Sequence, residues 1–145
     1  MQTPAPLIWN DSLMTGVPEI DEQHRILVHT FNEAGEKLCG ETSREVLEAI
    51  TQDLLSYALY HFETEELLMR DAGYESEDGA DARRHRAEHR DFSTQVLGLR
   101  DRIKADIPVQ PHELLVFLHN WLVTHIMHTD MRLAAFILAR RSSPT

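Results

Sequence analysis

The chain has 145 residues, 42% of them apolar, and a formal net charge of −10 at pH 7. That length suits one domain with one sizeable core, and the charge disfavours nucleic acid or an anionic membrane surface as partner, because no electrostatic attraction would drive association. No apolar run approaches the ~20 residues that a membrane-spanning helix needs; the longest, Leu133 to Ala139, is the size of a core segment.

Residues 1–17 read as an extended arm, with several prolines and with Trp9 to dock it. The start shows no basic stretch followed by an apolar one, so no secretory leader is read. A first helix is expected over about 19–38, where Ile20, His24, Leu27, Val28, Phe31 and Leu38 share one face at 3.6-residue spacing. Gly40 suits the position just past its end. The lone cysteine, Cys39, is read as inert and fits a reducing cytoplasm.

Thr42-Ser-Arg-Glu45 has the form of a capping box opening a second helix over about 43–72. Its stripe is Val46, Ile50, Leu54, Tyr57, Ala58, His61, Phe62, Glu65, Leu68 and Met69, and Gly73 ends it. Residues 74–80 are polar and are expected to form a loop. A third helix over about 81–105 carries His85, His89, Phe92, Val96, Leu99 and Ile103 in its stripe. A fourth, over about 111–139, starts at Pro111, whose missing N–H has no intrahelical partner at a first helical position. Its stripe is Leu114, Phe117, Leu118, Trp121, His125 and Ile126. Four long helices with short loops predict an all-α, antiparallel up-down-up-down bundle over 18–140, one domain in all.

Every stripe contains a histidine, and there are nine histidines in the chain. His61 with Glu65, and His85 with His89, are i,i+4 pairs, about 40° apart around a helix, so each pair can approach one metal centre. An ionised Glu65 buried in a stripe would cost several kcal/mol without a counter-charge, which a cation supplies. Imidazole with carboxylate suits iron, zinc or manganese. Seven ligands are too many for one zinc, and the absence of cysteine from the stripes disfavours an iron–sulfur cluster. Five imidazoles, two bridging carboxylates and an oxo or hydroxo bridge would leave one position of an octahedral iron pair open. One vacancy suits a small diatomic molecule.

At these residues the chain resembles the hemerythrin family, and within it the single-domain bacterial members. The resemblance spans nearly the whole chain: Trp9 through Gly16-Val17-Pro18, Ile20-Asp-Glu-Gln-His24, His61-Phe-Glu-Thr-Glu65 with Glu66 and Met69, Gly73-Tyr74, His85 and His89 with Phe92, and Trp121-Leu-Val-Thr-His125-Ile126 with Asp130. It implies two iron ions (Fe2+/Fe3+), one held by His85, His89 and His125 and the other by His24 and His61, with Glu65 and Asp130 bridging. It implies dioxygen as the ligand, at the second iron, in a pocket lined by Leu27, Phe62, Trp121, Leu122 and Ile126. Two features depart from the family. Glu75 stands where a proline usually follows the Gly-Tyr pair, in a loop about five residues longer. The i+5 spacing of Asp130 from His125, which the family shares, is about 140° round an ideal helix, so the helix or the side chains must bend.

His29, His112, His119 and His128 match no ligand of the family and read as surface or supporting residues, and the Arg83-Arg84-His85-Arg86 run reads as a solvated face. Reversible dioxygen binding without catalysis is the function expected, for storage, transport or delivery to an oxygen-consuming enzyme. A sensor would need an output domain, for which the length leaves no room. A di-iron enzyme with peroxidase or nitric-oxide-reducing activity more often carries Glu-x-x-His pairs, and iron storage would need a cage. The oligomeric state stays open, with a monomer compatible.

Overall fold

A computed structural model describes residues 6–38 and 43–142. Helix α1 (Pro18–Lys37) opens on Pro18, and the first turn carries Glu19 and Asp21, acids that favour the positive end of a helix. Helix α2 (Arg44–Ala72) is capped by Ser43, whose hydroxyl accepts the Val46 N–H at 3.2 Å. The cap is therefore one residue later than the expected box at Thr42, which lies outside the described residues, as do Cys39 and Gly40. Val46, placed in the stripe, is instead 41% exposed, and Leu47 beside it is buried. Gly73 closes α2 in the left-handed conformation at φ 74°, open to a residue without Cβ.

The expected loop over 74–80 is corrected. Tyr74–Glu77 forms one helical turn, α3, and Asp78 then caps α4 (Gly79–Lys104) by accepting the Asp81 N–H. The reason lies in Tyr74. Its ring is buried edge-on against Phe136 at 4.9 Å, and its hydroxyl donates to the Asp81 carboxylate. Arg84 and Arg132 share that carboxylate, so the corner is held from two helices.

The fourth helix is interrupted. Helix α5 (Pro111–Thr124) passes into a π turn over His125–Thr129, and α6 (Asp130–Ser142) follows. Within the turn the Asp130 N–H bonds to the His125 carbonyl, five residues back, one more than in an α-helix. Among the described residues there is no strand, and the helices form the expected bundle. No helix there is long and apolar enough to cross a membrane.

The core comes in two parts. One holds Leu27, Phe31, Leu54, Phe62, Phe92, Leu118, Leu122 and Ile126, the other Val17, Ile20, Met69, Tyr74, Leu133 and Ile137. The arm is tied to α1. The Asn32 amide exchanges hydrogen bonds with the Leu7 backbone at 2.9 and 2.8 Å. Asp21, buried, accepts from the N–H and hydroxyl of Thr15 and the N–H of Gly16. Trp9 packs on the core with the Arg25 guanidinium over its ring at 5.3 Å.

Candidate metal centre

All seven expected ligand residues are at most 3% exposed and meet in one layer. Helix α1 brings His24, α2 His61 and Glu65, α4 His85 and His89, and the π turn and α6 His125 and Asp130. Their ligand atoms fall into two groups, Glu65 with His85, His89 and His125, and Glu65 and Asp130 with His24 and His61, each within 4.8 Å.

Glu65 belongs to both groups: Oε1 lies 3.2 Å from His61 Nε2, 3.1 Å from His89 Nε2 and 3.4 Å from His125 Nε2. Asp130 also faces both ways. Its Oδ2 is 2.6 Å from His24 Nε2, while Oδ1 is 2.9 Å from His125 Nε2 and 3.2 Å from His85 Nε2. The π turn explains how. An extra residue in the turn gives Asp130 the angular place of an i+4 residue, on the side of His125.

These residues fit a metal pair by one test of their own. Nε2 of His24, His61 and His85, Oε2 of Glu65 and both oxygens of Asp130 are buried without an aligned hydrogen-bond partner. His24 Nε2 and Asp130 Oδ2 are close, yet they do not point at one another as donor and acceptor do. Orphaned buried polar atoms are costly, and a cation on which they converge removes that cost.

The side chains by themselves push one another's protons in opposite directions. Burial raises the Glu65 carboxyl, but His61, His125 and His85 outweigh it and hold it well below the usual carboxylate range. Asp130 is likewise lowered: burial and Glu65 raise it, and His125 and His24 prevail. Burial lowers both His85 and His125, yet Asp130 and Glu65 lift His85 to about 9, and the same two acids with Glu88 lift His125. His89 is pushed down, by burial first. Opposed shifts inside one dry layer are characteristic of functional sites.

Three residues outside the expected set orient the imidazoles. His61 Nδ1 meets Gln23 Oε1 at 2.7 Å, His89 Nδ1 meets Glu66 Oε2 at 3.0 Å, and His125 Nδ1 meets Glu88 Oε1 at 3.0 Å. In each pair the imidazole Nδ1–H donates, which leaves Nε2 as the atom that can turn a lone pair to a cation in the layer. Each helper precedes or follows a ligand in sequence but serves a histidine on another helix. Gln23 and Glu66 stood within the segments that carry the resemblance, without a role, and Glu88 had only its place beside His89 as a signal.

The five expected pocket residues gather in one apolar cluster. Leu27, Phe62, Leu122 and Ile126 are buried in it and Trp121 packs against it. Phe62 lies flat on the His89 ring at 4.0 Å and Trp121 flat on the His125 ring at 4.2 Å. Both aromatic rings thus also wall the three-histidine side. The four remaining histidines stay out of the layer: His29 and His128 are exposed, and His112 and His119 are half-buried elsewhere. The arginine run is not merely solvated, since Arg84 pairs with Asp81, and Arg86 with Glu66 and Glu75.

Comparison with known proteins shows the family. The family model described as the hemerythrin HHE cation binding domain matches residues 15–137, a span that contains all seven. The chain is similar to a bacteriohemerythrin of Pseudomonas aeruginosa (strain LESB58), 36% identical over 139 residues, covering 96% of this chain and 84% of that protein. It is similar to a bacteriohemerythrin of Stenotrophomonas maltophilia (strain R551-3), 31% identical over 132 residues, covering 90% and 80%. A crystal structure of wild-type hemerythrin superposes with a TM-score of 0.80 at 25% identity, over 92% of this chain and 98% of that one.

Proposed function

Since this chain belongs to the hemerythrin family, we propose that it binds dioxygen reversibly at a non-haem di-iron centre. His85, His89 and His125 would hold one iron, His24 and His61 the other, and Glu65 and Asp130 would bridge them. Iron held there would supply the electrons that reversible dioxygen binding needs. The observation that carries the reading is the uneven grouping of imidazoles: His85, His89 and His125 gather on one side and His24 and His61 on the other, with Glu65 common to both groups and Asp130 turning Oδ1 to His85 and His125 and Oδ2 to His24. The two-histidine side is one ligand short, which is where a small molecule can enter.

The protein's own part is to hold the imidazoles still and keep water away. Gln23, Glu66 and Glu88 fix three of the rings, and the Leu27, Phe62, Trp121, Leu122 and Ile126 cluster supplies an apolar wall. A carrier is favoured over an enzyme because the other buried acids are engaged elsewhere. Asp21 is tied to the arm and Asp81 to the α3–α4 corner, so neither is free to pass a proton at the site. In this reading the whole chain is one such domain, works in the cytoplasm, and delivers dioxygen to an oxygen-consuming enzyme or stores it. Visible absorption of the reduced, iron-loaded chain tests it. A band that appears in air and is lost again under argon is expected; no change, or a change that argon never reverses, contradicts it.

A further inference from the structure

The imidazoles of the layer do not receive equal support from outside it. His125 donates its Nδ1–H to Glu88 Oε1 at 3.0 Å, and Glu88 also accepts the Thr129 hydroxyl at 2.7 Å. His89 donates to Glu66 Oε2 at 3.0 Å. Both rings belong to the three-histidine group. On the two-histidine side His61 donates to Gln23, a neutral amide that itself donates to Thr64 at 3.0 Å, and His24 Nδ1 is buried with no partner, as is His85 Nδ1 on the three-histidine side. Among the described residues one side therefore has two outer carboxylates and the other has none.

An acceptor at Nδ1 fixes the tautomer and frees Nε2 for a cation. An anionic acceptor does more, because it draws the Nδ1 proton and makes Nε2 a stronger donor of its lone pair. It also adds negative charge near the cation, more fully at Glu88 than at Glu66, which is more exposed and shares its charge with Arg86. We infer that the two metal positions are unequal and fill in order, the three-histidine position first and more tightly, with Glu66 and Glu88 as the positioning residues that set the difference. The inference rests on the di-iron reading above and adds to it the order of loading.

The test is stepwise removal of iron. The reduced, iron-loaded chain is titrated without oxygen against chelators of graded strength, and iron release is followed. Two steps of one iron each are expected. Glu88→Gln and Glu66→Gln keep the side-chain shape, and each should weaken the tighter step about 10–100-fold while the looser step moves little. Gln23→Glu adds a carboxylate to the other side and should tighten the looser step, a gain that loss of packing cannot produce. That variant keeps the side-chain length and gives up only the amide hydrogen bond to Thr64, so it still decides the matter if a glutamate variant loses its fold. Release of both irons together, or equal weakening of both steps in the glutamate variants, overturns the order of loading and leaves the di-iron reading standing. A parent chain that holds fewer than two irons overturns both.

Discussion

Deleting Met127 should leave the bundle nearly as stable as it is. On an unbroken α-helix Asp130 would stand about 140° round from His125 and face away from the layer. The π turn over His125–Thr129 takes up one residue more, so Asp130 comes to about 40°, the place of an i+4 residue. The segment beyond inherits that register: Leu133, Ala134 and Ile137 are 0%, 1% and 2% exposed. Met127 lies in the turn and is 40% exposed, so little packing goes with it. Its removal lets the turn close to an ordinary α turn with everything downstream unmoved, at a cost within about 1 kcal/mol. If the turn were not slack, the segment beyond would rotate by about 100° and carry Leu133 and Ile137 out of the core. At about 1.5–3 kcal/mol for each such side chain, the loss would then be about 3–6 kcal/mol. Urea denaturation followed by circular dichroism separates the two, on chelator-treated protein so that metal linkage does not add to the reading. A loss of about 3 kcal/mol or more would refute the account of the turn as the device that sets the register.

Three further outcomes are expected. In the chelator-treated chain, stability should fall as pH rises from about 6.5 to 9, because the raised His85 and His125 contribute fully below the ordinary histidine value and lose their contribution as they deprotonate. Glu65 and Asp130, held low, keep their contribution above the ordinary carboxylate range and lose it in acid, and lowered His89 adds to the loss only as pH falls below the ordinary histidine value. A urea midpoint at pH 9 equal to or above that at pH 6.5, or a decline unchanged in His85→Leu, would contradict this. Asp21→Ala should strip three donors of their acceptor and cost about 2–4 kcal/mol, with Trp9 fluorescence reporting release of the arm; an unmoved midpoint would mean that the arm is held elsewhere. Leu27→Ala and Leu122→Ala should admit water to the apolar wall, so that the band formed in air decays faster at equal iron content; equal decay rates would remove these two residues from the wall.

The candidate ligands were legible in two steps. Imidazole or carboxylate in the apolar stripe of every helix marked positions where burial and chemistry disagree, and the resemblance to the hemerythrin family completed the set of seven, which the structure gathers. The spacing of Asp130 showed that something must bend but not what, since angular arithmetic does not say whether helix or side chain yields. The helical turn at Tyr74–Glu77 was hidden by its own polarity: Glu75, Ser76 and Glu77 are exposed, and only the Tyr74 ring goes inward. Val46 and Leu47 show the same limit on α2, where two adjacent apolar residues compete for one face and packing chooses. Gln23, Glu66 and Glu88 could not be assigned because each serves a histidine across a helix interface, a pairing that periodicity within one helix does not encode.

The claim on which the rest depends is that these seven side chains hold two irons, and metal analysis of the chain produced with iron tests it most directly. The parent should contain two irons per chain, and Glu65→Ala, which removes a carboxylate shared by both groups, should lose them together with part of the stability that metal binding confers. One metal per chain, zinc in material supplied with iron, or a Glu65→Ala variant that still holds two irons would contradict the account.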